Sequence, residues 1–153
     1  MIEAIIRLRT AHAAGLRTIA PSLPAPLDDA WRDAALRLSH PDVFVDAWGE
    51  RVIASLLSED GLVEEERERL REIARRFAVR YDGARVRLAR EIEKAEGRVS
   101  VEQAKRSSFI TINDPEVAEA RQAVRDLDQQ IRTVIVSALD PALRDLVPPM
   151  PAG

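Results

Sequence analysis

The chain has 153 residues and no cysteine, which excludes disulfides, thiolate metal sites and cysteine nucleophiles. Aromatic residues are scarce, at 4%. A core built from this chain must therefore come mostly from Ala, Leu, Ile and Val, which favours helix packed on helix over a sandwich of sheets. Glycine is also sparse, with six scattered residues that cannot form a glycine-rich phosphate loop. Neither a Gly-x-Ser-x-Gly elbow nor a dinucleotide fingerprint is present. No apolar run approaches the length of roughly 18 residues that a membrane span needs. Positive charge is not in excess, since the net charge is −3, so nothing global draws the chain onto nucleic acid or an anionic membrane.

What is present is a sizeable apolar fraction, 46%, enough for one ordinary domain with a real core. Charge is distributed unevenly. Residues 27–60 hold eight acids and three arginines, net −5, whereas residues 67–90 hold nine arginines and three acids, net +6. The two segments can complement one another. The first twenty residues are interrupted by Arg7, Arg9 and Arg17, which makes a poor secretory signal and leaves the cytoplasm as the expected location.

The strongest pattern lies between Gly61 and Gly97. Leu70, Ile73, Ala74, Phe77, Tyr81, Ala84, Leu88, Ile92 and Ala95 recur at spacings of three and four, the trace of a single apolar stripe on one long helix. At 1.5 Å per residue such a helix spans about 55 Å, with Asp82 and Gly83 as its weakest point. A second long helix is expected over 114–139. Asp114 serves as its cap, Pro115 takes the first helical position, and a heptad follows at Val117, Ala120, Val124, Leu127, Ile131, Val134 and Ala138. The two fold back as an antiparallel hairpin.

Three shorter helices are expected ahead of the hairpin. The first runs from about Ile2 to Ala20, with Ile2, Ile5, Leu8, His12, Leu16 and Ile19 on one face. Pro21, Pro24 and Pro26 end it. The second starts near Asp28 and turns Trp31, Ala34, Ala35 and Leu38 inward. The third starts at Pro41 and runs to about Ser58, with Phe44, Trp48, Val52 and Leu56 on its core face. Ser100 to Gln103 resembles a capping box. Residues 107–113 read as an extended loop that lays Phe109, Ile110 and Ile112 on the bundle. The expected product is a single all-α domain over 1–147, followed by a mobile proline-rich tail over 148–153.

Candidate chemistry is thin. Arg69, Arg76, Arg80 and Arg87 fall within about 40° of one another on the long helix. Such a line can hold an acidic partner or phosphates, or it can flank the stripe and pair with neighbouring acids. Glu93, Glu96, Glu116 and Glu119 form two Glu-x-x-Glu pairs on the facing ends of the long helices, an oxygen-rich set of the kind magnesium takes. All-helical nucleotide pyrophosphohydrolases carry a similar arrangement. The resemblance covers these four residues alone, and the last acid there is normally Asp. Asp42, Asp46 and Glu50 make an acidic stripe if they share a helix. His12 and His40 are the only histidines and have no companions for catalysis or a metal. Trp31 and Trp48 read as core anchors. Ser107 and Ser108, preceded by Lys105 and Arg106, make a short basic flank and paired hydroxyls of the kind found at modification sites.

The reading that follows is a non-enzymatic, helical protein–protein interaction, adaptor or assembly protein of bacterial or phage type. It needs no cofactor and works through its long hairpin, with a homodimer as the expected form. Burial of the Leu70–Ile92 stripe and of Ile110 and Ile112 would drive association, and the arginine line would set register. A magnesium-dependent all-α nucleotide hydrolase and a nucleic-acid-associated helical protein are the alternatives.

Overall fold

The computed structural model describes residues 27–98 and 114–151, together with 11, 14, 15, 18, 19 and 22–24 ahead of them. Four α-helices follow in order: α1 (Leu27–Ser39), α2 (Trp48–Leu57), α3 (Glu64–Arg98) and α4 (Pro115–Ala138). Short 3-10 turns lie at Pro41–Val43 and Pro141–Leu146. No strand occurs among the described residues. The fold is an all-α bundle in which the long helices form an antiparallel hairpin, with shorter helices ahead of it.

The contacts divide the chain into two compact units, each drawing on both long helices. One combines residues 1–44 with 85–120, the other residues 45–84 with 121–153.

The second unit holds a continuous apolar core. From α2 come Trp48, Val52, Ile53 and Leu56, and from α3 come Leu70, Ile73, Phe77 and Tyr81. Leu127, Ile131, Ile135 and Leu139 face them from α4 and its end, and Leu62 and Val147 close the cluster. Each large aliphatic side chain buried here contributes about 1.5–3 kcal/mol. Phe77 and Tyr81 sit one turn apart with ring centroids 6.3 Å apart and planes tilted by 48°. The helices run antiparallel within this unit. Arg80 donates to Gln130 (2.6 Å) and the Tyr81 hydroxyl to Asp128 (2.6 Å), while Glu66, near the start of α3, meets the backbone of Asp140, past the end of α4.

In the first unit, α3 buries Leu88, Ala89, Ile92 and Ala95, and α4 buries Val117 and Ala120. Arg87 pairs with Glu119, and Arg98 pairs with Asp114 at 3.1 Å, again an antiparallel order. Small buried alanines allow close helix approach. Leu36 and His40 are buried at the end of α1.

The stripe read from the sequence is the buried edge of α3, and α3 continues through Gly83 without a break. It begins three residues later than Gly61, because Leu62 turns into the core and Val63 serves as the cap: its N–H donates to the Glu66 carboxylate at 3.2 Å. Of the expected heptad in α4, Val117, Ala120, Leu127 and Ile131 are buried, whereas Val124, Val134 and Ala138 are only half-buried; beyond Ile131 the buried positions are Ile135 and Leu139. A straight helix repeats every 3.6 residues, not 3.5, so the buried row drifts past a strict heptad.

Two further expectations are corrected. The third helix does not start at Pro41. A 3-10 turn occupies Pro41–Val43, and α2 begins only at Trp48. Glu50 takes the N–H of Ala47 at 2.8 Å, which fixes the later start, and Phe44 becomes a half-buried ring beneath the Arg37 guanidinium, 4.7 Å from its centroid. In α1 the buried residue is Leu36; Ala34 is exposed and Leu38 is 71% exposed. Ile19, on the apolar face read for the first helix, is exposed. His12, Ser107, Ser108, Phe109, Ile110, Ile112 and the Ser100–Gln103 segment lie outside the described residues. In the proline-rich end, Met150 packs against the core of the second unit.

Candidate interaction surface and buried polar junctions

The four arginines of the expected line all stand on the exposed side of α3. Arg69 pairs with Glu65 one turn earlier. Arg76 and Arg80 lie over the ring of Phe77, 5.6 and 4.9 Å from its centroid, and Arg80 also reaches Gln130. Arg87 pairs with Glu119. Their aliphatic stems cover the rim of the apolar row while their heads remain in water. Between Arg76 and Arg80 in the sequence stands Val79, 76% exposed. Arg75 and Gly83, one turn to either side of it, are exposed as well, and Arg75 pairs with Glu68 and Glu72.

The far flank of α3 carries its own charge network. Arg71 donates to Glu64 (2.7 Å) and Glu68 (3.1 Å), and Arg75 donates to Glu68 (2.8 Å). The hydrogen bonds from Arg71, then Arg75, hold the Glu68 carboxyl below its ordinary range, and Glu64 raises Arg71. On α1, Arg32 does the same for Asp28 through a two-pronged contact, 2.8 Å on each oxygen. These groups are solvated and define surface rather than a site.

Of the carboxylate quartet, Glu119 accepts from Arg87, and among the described residues no group of three His, Cys, Asp or Glu side chains is placed to hold a metal ion. Asp42, Asp46 and Glu50 do not form a stripe, because they fall on a 3-10 turn, an extended link and α2 in turn. Glu50 is turned back to the Ala47 amide, and the backbone carbonyl of Asp46 accepts from Arg51. His40 is buried at the junction of α1 and the following turn. Trp48 is a core residue, whereas Trp31 is half-buried, with an indole N–H that has no partner among the described residues.

Three polar junctions inside the second unit were not anticipated from the sequence. Asp128 Oδ1 accepts from the Tyr81 hydroxyl at 2.6 Å and from the Gly49 amide at 3.1 Å. The α4 carboxylate thus serves the free amide at the start of α2, where the helix dipole favours negative charge. The Glu66 carboxylate also serves two donors. Oε2 takes the Val63 amide that opens α3, and Oε1 takes the Asp140 amide at 3.0 Å, where the C-terminal turn begins. Beside it, Arg67 donates to the carbonyls of Leu57 and Glu59, which the end of α2 leaves without helical partners. One signal for the first junction was available: a lone Tyr inside an aliphatic row must bring its hydroxyl to a partner. The other two depend on which helix ends meet, which the sequence does not encode locally.

No family model matches the chain, and neither the curated proteins nor the solved structures include a match to it. No helix among the described residues is long and apolar enough to cross a membrane.

Proposed function

We propose that this chain is a non-enzymatic helical interaction protein, an adaptor or assembly factor that self-associates through the outer face of its long hairpin. The apolar row of α3 is spent on its own core, with Leu70, Phe77 and Tyr81 almost wholly covered, so the association surface has to be a different one from that row. The observation that carries the reading is Val79, an aliphatic residue 76% exposed at the middle of α3, with the exposed Arg75, Arg76 and Arg80 within one turn of it. An apolar centre with an arginine rim has the composition of a small interface. The arginines would favour an acidic surface opposite, and the glutamates of a second copy can supply one. A cytoplasmic setting belongs to the same reading, supported by the arginines that interrupt the first twenty residues.

Light scattering at micromolar concentration tests it. The expected mass is twice the 17.1 kDa chain, and Val79→Asp returns it to one chain with helicity unchanged. Monomeric behaviour at every concentration, together with no protein co-purifying from the native source, overturns the reading.

A further inference from the structure

The C-terminal segment of the second unit is attached differently from everything else in that unit. Helix α4 ends at Ala138, and Leu139 anchors its end in the core. The backbone then turns extended at Asp140 (φ −53°, ψ 142°), as the residue before Pro141 requires. The backbone hydrogen bonds that follow are local: Leu143 N–H to Asp140 and Val147 N–H to Arg144, with the Asp140 side chain taking the Ala142 amide. Pro148, Pro149 and Pro151 have no N–H to offer. Val147 is buried, Leu143 and Met150 rest partly buried against the core, and Leu146 points outward, 44% exposed. The Asp140 amide ties the segment's first residue to Glu66.

We infer that residues 140–151 form a strap that lifts from the second unit as one piece, with Glu66 as its latch and Leu139 as the fixed end. The strap sits on its unit by three side chains and one charge-assisted hydrogen bond. Its first half, Pro141–Leu146, is short-range 3-10 structure, which holds less firmly than α-helix. The prolines keep the lifted strap pre-shaped, so little conformational entropy opposes its return. The latch needs two acceptor oxygens at once, since Glu66 serves the Val63 and Asp140 amides with different atoms. Glutamine keeps one oxygen and turns an NH2 group toward the other amide, so Glu66→Gln can serve only one of the two.

The absence of cysteine makes the test clean. A single thiol is introduced in the full chain as V147C or, for comparison, as I135C in the buried row of α4, and its rate of reaction with a soluble disulfide reagent is followed. The V147C thiol should react at least about tenfold faster than the I135C thiol. Adding Glu66→Gln should accelerate V147C a further tenfold or so, about one charge-assisted hydrogen bond, while I135C changes by less than about threefold. Equal rates for the two thiols, or equal acceleration of both by Glu66→Gln, overturn the inference. Should a variant fail to fold, hydrogen exchange of the unmodified protein decides. The Asp140 amide must then exchange at least about tenfold faster than those of Phe77 and Ile131, and exchange of all three through one common opening overturns the strap.

Discussion

The hydroxyl of Tyr81 donates to Asp128 Oδ1 at 2.6 Å, and the same oxygen accepts the amide of Gly49 at 3.1 Å. One carboxylate oxygen therefore joins α2, α3 and α4 in the second unit. Tyr81 is fully buried, and this bond satisfies its hydroxyl.

Tyr81→Phe removes one donor and leaves Asp128 the Gly49 amide, so we expect a loss of about 1–1.5 kcal/mol. Asp128→Ala strands both donors and should cost more, about 2–4 kcal/mol. Urea unfolding of the two variants and of the double variant checks this. The double variant should fall short of the sum, because the two share one bond.

Gly49→Ala should be poorly tolerated. A Cβ placed there meets Ile131 Cγ2 at 2.3 Å and the Tyr81 hydroxyl at 2.7 Å, so α2 would have to move away from α3 and α4. Overpacking of this kind costs about 1–3 kcal/mol. In a Tyr81→Phe background the penalty should shrink, since one of the two obstructing atoms is gone, and denaturant midpoints for the four combinations measure the difference.

Gly83→Ala should act in the opposite direction. Gly83 lies within α3, is exposed, and a Cβ there meets nothing within 4 Å. Alanine lowers the entropy of the unfolded chain and favours the helix, so the melting temperature should rise with a gain of up to about 1 kcal/mol.

Acid should weaken the outer charge network of α3. Glu68 is held below its ordinary value of 4.5 by Arg71 and Arg75. A lowered folded value means that its contribution is complete above 4.5 and is lost as pH falls through that lowered value. Melting temperature measured from pH 6 down to pH 3 should therefore decline, and Glu68→Gln should make that decline shallower. Added salt should shrink the difference between the two proteins.

The long helices could be read from the sequence because periodicity is a local property. The Leu70–Ala95 row and the Asp114–Pro115 start each state their element within a few turns. The α4 register past Ile131 was misread by imposing a heptad on a helix that keeps its natural period. The α2 start was misread because Pro41 is a good first helical residue, whereas the link before Trp48 is set by Glu50, by Asp128 on another helix and by the close approach at Gly49. The inward face of α1 was misassigned for a similar reason: Leu36 and Leu38 are equally apolar, and only the neighbouring elements decide which is covered. The arginine line stood where its angles put it, on the exposed side of α3. The bonds from Asp128 to Tyr81 and Gly49 and from Glu66 to Asp140 join residues far apart in the chain, and no spacing rule connects them; Arg67 reaches back only across the turn between α2 and α3.

Tyr81 is the only tyrosine in the chain. Tyrosine labelled with carbon-13 at Cζ alone, supplied to the expression host, would thus yield a single phenolic resonance, sited where three helices meet. Any ligand, partner or substitution that loosens that meeting point would announce itself as movement of one peak in an otherwise empty spectrum.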